Sequence, residues 1–321
     1  MSLLAVVYNP IKVDLDALRA AVEKAESEHG WEPSLWLETT EDDPGCGPAE
    51  EAVERGADVV LACGGDGTVR AVGEGLRGTD TALALLPAGT GNLLARNMGM
   101  DVTDIDRAVD VAFTGTDRRI DVGIADMFAA DGKHQRHTFL VMAGVGLDAQ
   151  MIVNTDDGLK KKVGWLAYVK AIAASLPGGR RLKLRIRLNK EATFRTRAHT
   201  LVIGNVGELV GNIPLLPDAQ IDDGVLDLVT LRPKGPIGWI RIMWTVLVQN
   251  KLMQREYRGA RIGGKGSKHA LHYRTARSVE VQVHKPEPLE LDGDLFGEMR
   301  SFAVQVDPLA LTLKMPPAGD D

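Results

Sequence analysis

The chain has 321 residues, room for about two domains, and its 44% hydrophobic and 26% charged residues are an ordinary globular composition. A net charge of −6, from 38 basic and 44 acidic residues, argues against general nucleic-acid affinity. Two cysteines, Cys46 and Cys63, give neither a disulfide framework nor zinc spacing and suit a reducing, cytoplasmic compartment. No basic–apolar–small signal segment opens the chain. No run approaches the roughly 18–20 apolar residues that span a bilayer, so membrane contact is expected to be peripheral.

Leu3 to Tyr8 reads as a short apolar strand ending at Asn9-Pro10. Asp14 to His29 follows as a helix, with Leu15, Leu18, Ala21, Val22 and Ala25 near helical spacing. Ser34 to Glu38 is a second strand closed by Thr39-Thr40, and Pro48 to Arg55 a second helix. Val59 to Cys63 has the composition of a buried strand and stops at Gly64-Gly65-Asp66-Gly67-Thr68, after which a helix runs to Leu76. A strand feeding a glycine turn that opens a helix is a phosphate cradle, because glycine lets backbone N–H groups approach an anion closely. Thr68 either caps that helix or bonds a phosphate; Asp66 either caps it or faces a metal ion held between carboxylate and phosphate. Ala82 to Leu86, Pro87-Ala88-Gly89-Thr90-Gly91-Asn92 and Leu93 to Arg96 repeat the unit. Strands alternating with helices predict a doubly wound, mostly parallel sheet whose turns gather at one edge. Thr103 to Phe113 reads as a further helix, capped by Thr103.

From Arg119 the chain reads mainly as strands, over 119–124, 138–143, 182–188, 200–204, 225–231, 279–283, 302–306 and 311–315. This predicts an α/β domain over 1–115, an antiparallel, β-sandwich-like domain over 116–316 and a tail over 317–321. Asp121 lies inside the first of these strands, either facing solvent or serving a site. Ala143 to Asp148 is a glycine turn that either closes on a ligand or bends the chain. Asp157 to Ala174 suits an amphipathic helix whose Lys160, Lys161 and Lys162 either steer an anion or solvate a helix end. Arg181 to Leu188 alternates, with four cations on one face and four aliphatics on the other. The cationic face either rests on an anionic membrane, at roughly 1 kcal/mol per charge, or protects an exposed sheet face. Gly238 to Leu252 is an apolar helix that packs on the sheet or lines an acyl-chain cleft.

The turns Gly64 to Thr68 and Pro87 to Asn92, with Pro217 to Leu228 and Leu289-Glu290-Leu291-Asp292-Gly293-Asp294, resemble the diacylglycerol kinase catalytic domain family in its bacterial lipid-kinase branch. Sphingosine and ceramide kinases share that domain, and NAD kinases and phosphofructokinases are more distantly similar. The resemblance runs from Asn9 to about Pro316. It implies an ATP site at Asn9, Pro10, Lys12, Thr40 (Thr39 being the alternative match), Gly64, Gly65, Asp66, Gly67, Thr68, Gly89, Thr90 and Asn92. It further implies Asp292 as the base that takes the proton of a lipid hydroxyl, and Asp66 as holding a catalytic Mg2+ through water. A structural Mg2+ falls on Asp223 and the carbonyls of Gln220 and Val225. Two departures stand out: Ile11-Lys12-Val13 replaces a Ser-Gly pair after Asn9-Pro10, and Asp294 replaces a glutamate.

The implied activity is ATP-dependent phosphorylation of a lipid alcohol, with diacylglycerol giving phosphatidic acid. The implied partners are that lipid at a membrane surface and an anionic membrane; no nucleic acid is called for, and a homodimer is left open. An NAD kinase shares the Asp66 turn, but Pro87 to Asn92 and Asp292 to Asp294 fit lipid kinases better. A nucleotide- or lipid-sensing protein with a degenerate site is the non-enzymatic rival, supported by the altered turn after Asn9-Pro10.

Overall fold

The computed structural model describes residues 2–100, 104–146, 181–209, 213–246, 267–268 and 270–317. The first half alternates as the sequence predicts: β1 (Leu4–Tyr8), α1 (Leu15–His29), β2 (Leu35–Glu38), α2 (Cys46–Glu54), β3 (Val59–Gly64), α3 (Asp66–Leu76) and β4 (Ala82–Pro87), then α4 (Leu93–Asn97) and α5 (Ile105–Thr114). Local chemistry sets the ends. Asp14 caps α1 by accepting the Ala17 N–H at 3.1 Å, and Gly30, at φ +68°, closes it. α5 is capped by Asp104 rather than by Thr103, which lies outside the described residues.

These strands are parallel, in the order β4-β3-β1-β2. Their register sets Tyr8 beside Glu38 and Cys63, and Gly64 beside Pro87, so four strands end along one edge. Alternate residues serve opposite faces. Leu4, Val6 and Leu61 pack with α1 and α5, while Ala5, Val7, Val60 and Ala62 pack with α2 and α3. Burial on both faces explains why β3 reads as a continuous apolar run.

The second half comprises β5 (Thr116–Ala129), β6 (His134–Phe139), β7 (Met142–Val145), β8 (Leu182–Leu188), β9 (Phe194–Ala198), β10 (Thr200–Gly204), β11 (Glu208–Leu209), β12 (Ile213–Pro214), β13 (Leu226–Leu231), α6 (Gly235–Trp244), β14 (Ser267–Lys268), β15 (Leu271–Ala276), β16 (Ser278–Leu291) and β17 (Asp294–Met315). Its pairings are antiparallel, and Leu182, Leu184, Ile186 and Leu188 are buried as the alternation predicts. The two strands expected over 302–306 and 311–315 are one strand, β17, which pairs with β5 on both sides of an irregularity between Asp307 and Leu311. A buried carboxylate shapes that bend: Leu309, at φ +52°, donates its N–H to Asp121 Oδ1 at 2.8 Å. Beyond it β17 runs parallel to β4 at Leu313 and Leu83, so the last strand returns to the first sheet. No helix among the described residues is long and apolar enough to cross a membrane.

Candidate active site

The two glycine turns meet at the carboxyl edge of the parallel strands. Ala88 donates its N–H to Gly64 O at 2.8 Å, and a Cβ on Gly89 would lie 2.7 Å from Gly65 Cα, so the backbones touch where no side chain fits. Lys12 reaches across from the first strand's turn, its Nζ 3.0 Å from the point a Gly65 Cβ would occupy. Asn9 holds that turn by accepting the Ile11 N–H at 3.1 Å, with Pro10 and Lys12 exposed beyond it. Bare backbone under an ammonium group is the donor set a polyphosphate needs, so the residues fit ATP.

Asp66 binds the two turns to each other. Its Oδ2 accepts the Asn92 N–H at 2.9 Å and its Oδ1 the Leu93 N–H at 2.6 Å, at the start of α4. Burial raises its pKa, with Asp294 adding to the effect, against those two bonds. Asn92, at φ +48°, accepts the Gly89 N–H at 2.9 Å and fixes the second turn from within. Thr68 is no cap: Gly65 holds that position, and the buried Thr68 side chain packs on Gly64, leaving no room for a Cβ there. Thr90 stands exposed at the mouth of the second turn. Thr40 is exposed on the same edge, two strands from Gly64, its hydroxyl accepting the Asp43 N–H at 3.0 Å, whereas Thr39 is buried.

Asp292 enters from the other half. Asp292-Gly293 forms a two-residue turn joining β16 to β17, both residues at positive φ, the backbone that Asp-Gly favours. Its carboxylate folds back on the β6–β7 corner: Oδ2 accepts from Leu140 N at 2.8 Å, and Oδ1 from Val141 N and Met142 N, each at 2.9 Å. Burial pushes its pKa up to about 6 against those three donors and Arg70. Asp294, two residues on, lies over the glycine turn, its Oδ2 2.6 Å from where a Gly67 Cβ would be.

A network that sequence reasoning missed locks this turn to α3. Buried Arg70 meets Asp294 at 3.3 Å and Glu74 at 3.6 Å, and its guanidinium lies over the Phe296 ring at 4.8 Å. Glu74 accepts from Thr138 N at 3.2 Å and meets His137. Burial alone would raise the Glu74 carboxyl, but His137, Thr138 and Arg70 hold it below its ordinary value.

Gln220, Asp223 and Val225 belong to a separate acidic loop before β13. Asp121 is fully buried rather than solvent-facing and clamps that loop, Oδ2 accepting the Gly224 N–H at 2.6 Å. Asp223 accepts the Val225 N–H at 3.1 Å. Asp227 is pushed up to about 7 by burial, then by Asp223 and Asp218. Among the described residues no three acidic, histidine or cysteine side chains gather closely enough to hold a metal ion, so a Mg2+ here would rest on Asp223 and backbone carbonyls, oxygen donors of the kind it takes. The glycine turn continues to Gly146 before Asp148, which lies outside the described residues, as do Lys160, Lys161 and Lys162. Ile242 of α6 and Val246 just beyond its end pack inward, while Ile237 and Trp244 are exposed.

The sequence matches two family descriptions, the diacylglycerol kinase catalytic domain over residues 4–125 and the YegS C-terminal NAD kinase beta sandwich-like domain over residues 140–315. It is 29% identical to a diacylglycerol kinase of Bacillus subtilis, covering 91% of this chain and 89% of that one. It is 32% identical to a Pseudomonas aeruginosa protein named probable lipid kinase YegS-like, covering 94% and 90%. The fold superposes on a Bacillus anthracis diacylglycerol kinase crystal structure with a TM-score of 0.66 at 18% identity, over 99% of this chain and 97% of that one. With both halves matched in order around one pair of glycine turns, the chain belongs to the diacylglycerol kinase and YegS-like lipid kinase family.

Proposed function

We propose that this lipid kinase transfers the γ-phosphate of ATP to the hydroxyl of diacylglycerol, giving phosphatidic acid. The observation that carries the reading is the meeting of two parts. A glycine cradle under Lys12 faces a turn bearing a buried carboxylate whose pKa is pushed up to about 6. Phosphoryl transfer needs positioning, charge neutralisation and a base near the attacking oxygen. Backbone N–H groups of the two turns and Lys12 bind the phosphates. Asp292 Oδ2, with one backbone partner, keeps a lone pair for the proton of the lipid hydroxyl. Asp66 and Arg70 hold the turns and the Asp292–Asp294 hairpin in register. Mg2+, when bound beside Asp66 and at the Asp223 loop, would neutralise phosphate and carboxylate charge. The test is mass spectrometry of products after incubation with ATP, Mg2+ and diacylglycerol, monoacylglycerol, sphingosine, ceramide or NAD. Phosphatidic acid supports the reading; phosphorylated NAD alone assigns the protein to the rival activity.

A further inference from the structure

One concavity among the described residues lies away from the glycine turns. It is an open cleft of about 1290 Å3 on the β-rich half, lined by eight lysine and arginine residues and by no carboxylate. In a chain of net charge −6 such segregation is costly, and the sheet register makes it more so. Lys183 lies directly opposite Arg197, and Arg185 directly opposite Arg195, across the β8–β9 pair. Like charges so placed repel, and none of the four takes part in an ion pair among the described residues. The neighbouring Arg187 shows what neutralisation looks like, since it pairs with Glu280 across β8–β16. Arg232, Lys234 and Arg241 close the other side. The field is felt nearby: His272 is held below its ordinary pKa by burial, then by Arg232 and Arg274.

A sheet face that keeps paired cations unneutralised is arranged for an external anion. Its neighbourhood selects the source. On α6, Ile237, Arg241 and Trp244 share one helical face, and Ile237 and Trp244 are 67% and 61% exposed while Ile242 and Val246 beneath are buried. Two projecting apolar side chains beside an arginine at a phosphate-sized cation cluster are the pattern of a helix lying in a lipid headgroup layer. We propose that this cleft binds the phosphate headgroups of anionic phospholipids, with Ile237 and Trp244 entering the headgroup layer beside them. β16 joins the cleft, at Gln282 and His284, to the turn carrying Asp292, eight residues of extended chain or roughly 25 Å away. The docking site and the base therefore share one strand, which fixes the active site's height above the bilayer.

Full-length protein is sedimented, without ATP, with vesicles of phosphatidylcholine alone or mixed with phosphatidylglycerol. The wild type is expected to pellet with the anionic vesicles, less so in high salt. Arg185→Ala, Arg195→Ala and Arg197→Ala combined should weaken this about a hundredfold, at unchanged Tm. Ile237→Ser with Trp244→Ser should weaken binding with the cations intact. Retained binding by the triple variant overturns the proposal. So does loss of both vesicle and free tripolyphosphate binding in that variant with no effect of the Ile237 and Trp244 changes, which would make the cleft a site for soluble anions. The readout does not use phosphoryl transfer, so it can fail while the kinase reading stands, and the reverse.

Discussion

Gly65 and Gly89 are in contact through their backbones, and Lys12 Nζ sits 3.0 Å from where a side chain on Gly65 would begin. The two glycines therefore differ in what they tolerate. A Cβ on Gly65 meets the mobile end of Lys12, which can swing aside; one on Gly89 meets Gly65 Cα at 2.7 Å, which cannot. Gly65→Ala should weaken ATP binding about tenfold by displacing the ammonium group, with little change in Tm. Gly89→Ala should separate the turns, costing about 1–3 kcal/mol of stability as well as ATP binding. Calorimetric titration with a non-hydrolysable ATP analogue, alongside thermal melts, checks both; equal effects of the two substitutions would contradict the packing argument.

Asp292 predicts a pH dependence. Burial raises its carboxyl to about 6, and a base must be ionised. Activity should therefore climb with pH, about tenfold per unit below that value, and level off above it. The kcat/KM profile at saturating ATP reads this directly. A flat profile between pH 5 and 7 would reduce Asp292 to a positioning residue, a role its three backbone bonds could also serve.

Asp227 predicts a different limb, in stability. Its pKa rises from 3.8 unfolded to about 7 folded, so the folded state favours the protonated form. That contribution is fully present below about pH 4 and is lost as pH rises to 7, at about 1.4 kcal/mol per unit. In the presence of a chelator, Asp227→Asn should raise Tm at pH 8 and leave it unchanged at pH 4. An equal gain at both would show that ionisation of Asp227 is not the cause.

Asp121 is a clamp across the fold, since its carboxylate accepts from Gly224 N and Leu309 N, far apart in sequence. An amide in its place offers one acceptor for two buried N–H groups. Asp121→Asn should cost about 1–3 kcal/mol, read as a lower midpoint in urea with unchanged slope. A stability loss below about 0.5 kcal/mol, the size of a surface substitution, would contradict the clamp.

The parts legible in the sequence are those where backbone demands a residue type. Glycine turns after apolar runs gave the parallel edge, and Asp292-Gly293 marks a tight hairpin. What escaped was set by distance along the chain. Arg70 meets Asp294 across 224 positions, and nothing local marks either as the other's partner. The cations of β8 were legible as an exposed face, but not that β9 sets Arg195 and Arg197 directly against them, because register is a property of the assembled sheet. The strands expected over 302–306 and 311–315 are one bent strand, with the irregularity between Asp307 and Leu311. The Asp121 carboxylate that holds it lies in another element.

In the proposed reaction Asp292 acts on a lipid hydroxyl beside a nucleotide held by the glycine turns. The most direct test measures transfer of label from γ-radiolabelled ATP to dispersed diacylglycerol by the wild type and by Asp292→Asn, with ATP-analogue binding measured in parallel. The expected result is labelled phosphatidic acid from the wild type and a loss of at least about a hundredfold in the variant, with nucleotide binding retained. Full activity in Asp292→Asn, or nucleotide binding with no labelled lipid from the wild type, would contradict it.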